Sequence, residues 1–155
     1  MGETIDVVEF EIGGTRYALD ILLAREIVEM LPVTPVPRAP PHISGVINLR
    51  GEVTNIIDLG TLLQIPERQT TQNKKIIVLV SELTGGSNIG MIVDDVHSVM
   101  QVAEKNIETM DSSLCREAYV KGIIRTGAAT GEEEVGGDLI IWIDIKKALE
   151  DLDCF

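Results

Sequence analysis

The chain repeats itself once, and the repeat limits the fold more than any other feature. Val7 to Asp20, VVEFEIGGTRYALD, alternates loosely about Gly13-Gly14, and Lys75 to Val93, KIIVLVSELTGGSNIGMIV, alternates the same way about Gly85-Gly86. A glycine pair between two alternating apolar runs is the signal for a hairpin whose turn needs positive φ. The echo continues downstream. Asp94-Asp95-Val96 follows the second hairpin as Asp20-Ile21 follows the first, and Gly122 to Gly127, GIIRTG, matches Gly45 to Gly51, GVINLRG. Trp142 to Leu149, WIDIKKAL, matches Ile56 to Leu63, IIDLGTLL. Two copies of a unit this long exclude a solenoid. They predict two similar β lobes with protected edges, each too small to bury much alone, so that packing one on the other completes the core and leaves a groove between them.

Between the repeated blocks the reading is coarser. ILLAREIVEML suits a helix nearly as well as a turn and a strand, and the β context favours a strand from Ala24. Five prolines between Pro32 and Pro41 forbid a regular ladder and predict a stiff extended connection. Strands are expected over Gly45–Leu49 and Glu52–Leu59, then a short helical turn at Leu59–Leu63. ERQTTQNKK, over 67–75, is wholly polar and marks a linker between lobe one (about 5–68) and lobe two (about 75–145), with a helical segment at about 145–153.

Composition narrows the function. Of 155 residues, 45% are hydrophobic and five are aromatic, so the core is aliphatic and branched, which suits pleated surfaces. A net charge of -12 argues against nucleic acid and anionic membrane as partners. MGETIDVVEF lacks the basic-then-apolar pattern of a secretory signal, Asp6 breaks a myristoylation pattern, and no apolar run is long enough to span a bilayer. A cytoplasmic protein without membrane insertion is expected. Cys115 and Cys154 have neither disulfide-framework nor zinc spacing and read as free thiols.

Chemistry-bearing motifs are thin. His42 lies among prolines and His97 in an amphipathic run, with no nucleophile motif near either. No phosphate-cradling glycine loop is present. Asp94 and Asp95 are adjacent in an extended run and point to opposite faces, and Glu132-Glu133-Glu134 sits in a glycine-rich loop. Asp58 and Asp144 recur in both copies just before helical segments, where capping explains them. An enzyme built on Asp94, Asp95 or His97 would lack convergent groups. No catalytic residue, metal site or cofactor is expected.

GVINLRG at 45–51, with YALDILLAREI, IGMIVDDVHSV and LIIWIDIKKAL, resembles the CheW family of chemotaxis coupling proteins from Phe10 to about Leu152. The resemblance implies an all-β fold of two SH3-like five-stranded β barrels without enzymatic activity. It implies an adaptor recruited to receptor arrays, bridging the cytoplasmic tips of methyl-accepting chemoreceptors to the regulatory domain of the histidine kinase CheA. A paralogous coupler for another receptor-kinase pathway, such as motility, surface sensing or gene regulation, shares the signature.

Carried over by position, Glu26 and Arg50 match charged residues used in receptor coupling, either in contact or paired with each other, flanked by Ala24, Ile27 and Val28. Val96, Val99 and Met100 would line the other wall of the groove. Gly45, Asn48 and Gly51, in or bracketing the signature, would belong to the kinase contact. The competing reading for every one of these apolar positions is core packing. Two departures from the family stand out: Asn55 replaces a common Pro, and Gly127 to Asp138 is a long acidic insertion.

Overall fold

The computed structural model describes residues 4–63, 74–80, 86, 88–108, 119–125 and 139–152. Strands β1 (Thr4–Ile12) and β2 (Thr15–Asp20) form the first hairpin, and Gly13 and Gly14, at φ 60° and 83°, supply the two left-handed residues of its turn. A 3-10 turn over Ile21–Leu23 leads into β3 (Ala24–Glu29), the strand expected from Ala24. The proline segment, expected to run extended, is broken by turns at Pro37–Arg38 and Pro41–His42 before β4 (Ile43–Leu49), which pairs with β5 (Glu52–Asp58), and α1 (Leu59–Leu62) follows.

The second copy repeats the series: hairpin β6 (Lys75–Leu79) and β7 (Ile89–Val93), then β8 (Asp95–Ala103). A 3-10 turn, the short β9 (Ile107–Glu108), hairpin β10 (Val120–Arg125) and β11 (Leu139–Ile143), and α2 (Ile145–Leu152) complete it. Asp58 Oδ1 accepts from Thr61 N at 3.3 Å and Asp144 Oδ1 from Lys147 N at 3.1 Å, so both recurring aspartates cap helices. The linker at 67–73, Gly85, the turn at 126–127 and the acidic insertion lie outside the described residues.

The two sheets cut across the two halves of the sequence. One runs β8-β1-β2-β11-β10-β9, so the first copy's leading hairpin sits among strands of the second. The other runs β3-β6-β7-β5-β4, with the second copy's leading hairpin inside the first. The orders correspond strand for strand, and in each the guest hairpin joins by a parallel pairing, β2 to β11 and β7 to β5. The β2–β11 joint is reinforced at the side chains: Asp20 accepts from Trp142 Nε1 at 2.9 Å and from Lys121 Nζ at 3.4 Å, and Lys121 sits 4.9 Å above the Trp142 ring.

Burial explains the curl of each sheet and the docking between them. Val7, Ala18, Val102, Ile124 and Ile140 come from five strands of the first sheet and meet in one cluster. Ile47, Ile56, Ile76, Val78 and Ile92 meet in the second, with Val28 packed against them. A sheet whose strands all point into one cluster is rolled into a lobe. The largest cluster lies between the lobes. Phe10, Tyr17 and Leu19 of one sheet meet Ile57, Ile77, Leu79 and Met91 of the other, sealed by Leu59 and Leu62 of α1 and Ile145 and Leu149 of α2. The resemblance implied five strands per lobe; the lobes have six and five, the sixth being the two-residue β9.

Gly45 shows how closely the second lobe is closed. Thr34 makes reciprocal backbone hydrogen bonds with Val46 at 2.8 and 2.9 Å, pulling the proline segment onto β4. A Cβ on Gly45, at φ 147°, would lie 2.2 Å from the Thr34 carbonyl oxygen and 2.8 Å from Val33 Cγ1. Gly122, its counterpart in the repeat, faces β9 in the same way, with Glu108 O at 3.0 Å from the built Cβ.

Two measurements check this architecture. Cutting the chain within 67–75 should give halves that each lack a cooperative thermal transition, and mixing them should restore one; a cooperative melt from either half alone would contradict the exchange of hairpins. Gly45→Ala should cost about 2–4 kcal/mol in denaturant unfolding. Gly60→Ala, whose Cβ would meet its neighbours no closer than 3.4 Å, should change stability by less than about 1 kcal/mol.

Candidate functional site

Of the two arrangements that the resemblance allowed for Glu26 and Arg50, the structure has them paired with each other. Arg50 and Gly51, at φ 52° and 86°, are the two turn residues of the β4–β5 hairpin, and Asn48 Oδ1 accepts from Gly51 N at 2.8 Å. Asparagine or glycine is the usual occupant of the first turn position, and arginine there turns a structural tip into a charged one. Its guanidinium crosses to β3, where Nη1 and Nη2 donate to the two Glu26 carboxylate oxygens at 2.9 and 2.5 Å. Because β3 and β4 are the two edges of their sheet, this bidentate pair spans the seam of the lobe.

The hydrogen bond from Arg50 is the largest influence on Glu26 and takes its carboxyl below the ordinary value of 4.5. Partial burial pushes the other way, and the charges of Arg50 and Arg25 add to the lowering. Arg50 is raised in turn, chiefly by the same hydrogen bond. The Arg50 side chain is 63% exposed and that of Glu26 20%, so the guanidinium is the part a partner meets.

The apolar candidates divide by face, and two β-bulges decide the division. In β3 the register slips between Ala24 and Glu26, so Arg25 is the extra residue. Ala24 then lies opposite Leu79, and Ile27 opposite Ile77, both members of the inter-lobe core, although a spacing of three along a regular strand would put them on opposite faces. In β8 the slip at His97 does the same for the second copy. Val96 pairs with Phe10, and Val99 with Val8, which pairs on its other side with core residue Leu19.

Ala24 and Val96 are half-buried against the inter-lobe core, while Ile27 and Val99 are 39% and 57% exposed. These four residues lie on the sheet faces that carry the inter-lobe core. Val28 and Met100 do not join them. Val28 packs into the core of one lobe and Met100 into the other, and core packing is the better reading of both. The reason is the pleat: each is one residue beyond an inter-lobe position.

Among the kinase-contact candidates, Asn48 and Gly51 are exposed at the hairpin tip, whereas Gly45 is buried under Thr34. One residue the sequence reading missed is Leu22, 84% exposed in the turn that carries the chain from one sheet to the other. Its signal is the run ILL, which suits a helix nearly as well as a turn and a strand. The titratable residues weighed for chemistry are spent on structure. Asp94 accepts from Gly13 N at 2.8 Å, Asp95 from Val96 N at 2.8 Å, and His97 Nε2 lies 3.0 Å from Glu11 Oε1. Among the described residues no three His, Cys, Asp or Glu side chains are placed to hold a metal, and no helix is long and apolar enough to cross a membrane.

The sign of the Glu26 shift makes a prediction. A carboxyl whose folded pKa is depressed adds stability above its unfolded pKa and loses it as pH falls through the folded value. Glu26→Gln should therefore be less stable than the parent at neutral pH, and the difference should fade below pH 4.5. Urea midpoints measured down that range check it, and a gap independent of pH would contradict it.

Comparison with known proteins identifies the family. The family model described as CheW-like domain matches residues 6–153. The chain is 28% identical over 147 residues to the chemotaxis protein CheW of Thermotoga maritima, covering 95% of this chain and 89% of that protein. It is 33% identical over 114 residues to CheW of Bacillus subtilis, covering 74% and 71% of the two chains. The crystal structure of the scaffolding protein CheW from Thermoanaerobacter tengcongensis superposes with a TM-score of 0.70 at 30% identity, covering 91% of this chain and 89% of that one. With its duplicated all-β fold and its paired Glu26 and Arg50, the chain belongs to the CheW-like domain family.

Proposed function

We propose that this protein acts as a chemotaxis adaptor by holding a chemoreceptor's cytoplasmic tip in the inter-lobe groove while another surface engages the regulatory domain of CheA. The observation that carries the reading is the pair of bulges, which brings Ala24, Ile27, Val96 and Val99 to one side of the molecule. Walls of aliphatic residues accept the apolar face of a helix, and receptor tips are helical hairpins. The contact is association without chemistry: apolar area supplies affinity, and rim charges set register and orientation. Arg50 is that rim charge, with Glu26 as its positioning partner. Asn48 and Gly51 expose the hairpin tip to the kinase domain, and Gly45 serves that contact from inside by keeping β4 closed against Thr34. The adaptor is cytoplasmic and joins the receptor array through these two contacts.

Co-sedimentation with receptor-bearing membranes and receptor-dependent kinase activation separate groove from core. Ile27→Asp and Val99→Asp should weaken receptor binding about tenfold or more without lowering stability. Val28→Ala and Met100→Ala should instead cost about 1–3 kcal/mol of stability and leave binding by the folded fraction unchanged. Arg50→Glu and Glu26→Arg should each weaken coupling. The double exchange restores a pair across the seam without restoring an arginine at the tip, and should stay defective. Normal coupling by both aspartate variants would sink the groove assignment, and normal coupling by the double exchange would reduce Arg50 to a structural role.

A further inference from the structure

A second apolar site lies beneath the proline segment. There a cleft of about 290 Å³ is floored by Ile57 and Ile89, walled by Val36 and Pro40, and rimmed by Arg38 and Asn55. Its floor is firm, since Ile57 and Ile89 are fully buried members of the inter-lobe core. Its wall is stiffened by prolines on both sides of Arg38 and pinned by Ile43 N donating to Pro40 O at 3.0 Å. A preformed cleft of this size lies at the lower end of small-molecule sites and suits one anchoring side chain.

Among the described residues Arg38 is the only charged one lining it, in a chain of net charge -12. Pro37 and Arg38 occupy the centre of a turn closed by Ala39 N donating to Val36 O at 3.4 Å, and Arg38 has φ 63°. Proline followed by a left-handed residue is the pattern of a type II turn, whose third position favours glycine. Arginine there is strained, and strain retained on an exposed side chain points to a use for that side chain. Among the described residues its guanidinium takes no hydrogen bond or ion pair. The apolar surface also continues beyond the rim, where Val53 lies two residues before Asn55 on the same face of β5 and is 69% exposed.

We infer that this cleft docks an acidic segment of a partner protein, taking one aliphatic or aromatic side chain against Val36, Pro40 and Ile43, above the buried Ile57 and Ile89, while Arg38 meets the carboxylate that follows it. Charge selects the partner. The rim is cationic within a chain of net charge -12, so an acidic segment arriving at this point meets an attraction that offsets part of the general repulsion.

The test is an NMR titration of the full ¹⁵N-labelled chain with two capped peptides, acetyl-Leu-Glu-Glu-amide and acetyl-Leu-Lys-Lys-amide. The acidic peptide should shift the amides of Arg38, Ala39, Ile43, Asn55 and Ile89 and bind about threefold more tightly than the basic one, the range of an exposed ion pair. Arg38→Gly relieves the left-handed strain, so it should fold at least as stably and lose the preference; Arg38→Glu should invert it. Asn55→Trp, at an exposed position, should close the cleft to both peptides. Equal binding of the two peptides, a preference that survives Arg38→Gly, or shifts confined to other surfaces would overturn the proposal. Concentration-dependent shifts of the same amides without peptide would assign the cleft to a second copy of this chain and overturn it too.

Discussion

The structure rests on an exchange of hairpins. Each half of the chain gives up its leading hairpin to the other half's sheet, and the two guest hairpins then face one another across the inter-lobe core through Phe10, Tyr17, Leu19, Ile77 and Met91. A lobe of this size buries too little to be stable alone. Exchange solves that by making each lobe's completion depend on the other's, so the largest cluster in the molecule belongs to neither sheet. The edge strands that carry the candidate site are each held on one side by a guest hairpin, β3 by β6 and β8 by β1.

The same pseudo-symmetry accounts for the shape of the site. β3 and β8 occupy equivalent edges, carry equivalent bulges at Arg25 and His97, and place Ala24 with Ile27 and Val96 with Val99 on the same side. A bulge costs one ladder position and re-phases the pleat, which is why bulges cluster where a side chain must be aimed. The symmetry is broken by the charges. In the first copy Arg50, at the hairpin tip, reaches Glu26 on the opposite edge; in the second, Arg125 at the end of β10 pairs with Glu108 of the adjoining β9. The two apolar edges are thus matched while their charged pairs differ, which distinguishes one edge from the other.

Much of this was legible in the residues. Gly13-Gly14 announced its turn because positive φ is cheap only for glycine and a few others, and the two aspartates before the helices announced capping because a carboxylate there has orphan N–H groups to accept from. Arg50 was harder, since turn chemistry alone favours asparagine or glycine at its position; the resemblance to CheW marked it. The sequence does not separate Val28 and Met100 from their neighbours, because apolar residues along one strand carry no face until the bulge is located. Leu22 escaped notice for a related reason: exposure of a leucine depends on what the rest of the chain leaves uncovered.

The sequence by itself determined the units, namely the hairpins, the caps, the stiff proline connection and the fact that everything occurs twice, because these follow from local φ preferences, apolar period and repetition. The tertiary structure alone decided which hairpin joins which sheet, which residue of each edge strand is the bulge, and that Gly45 must admit Thr34. Those outcomes are set by pairing between residues far apart in the chain, where many registers satisfy the local pattern and only simultaneous burial of three clusters selects one.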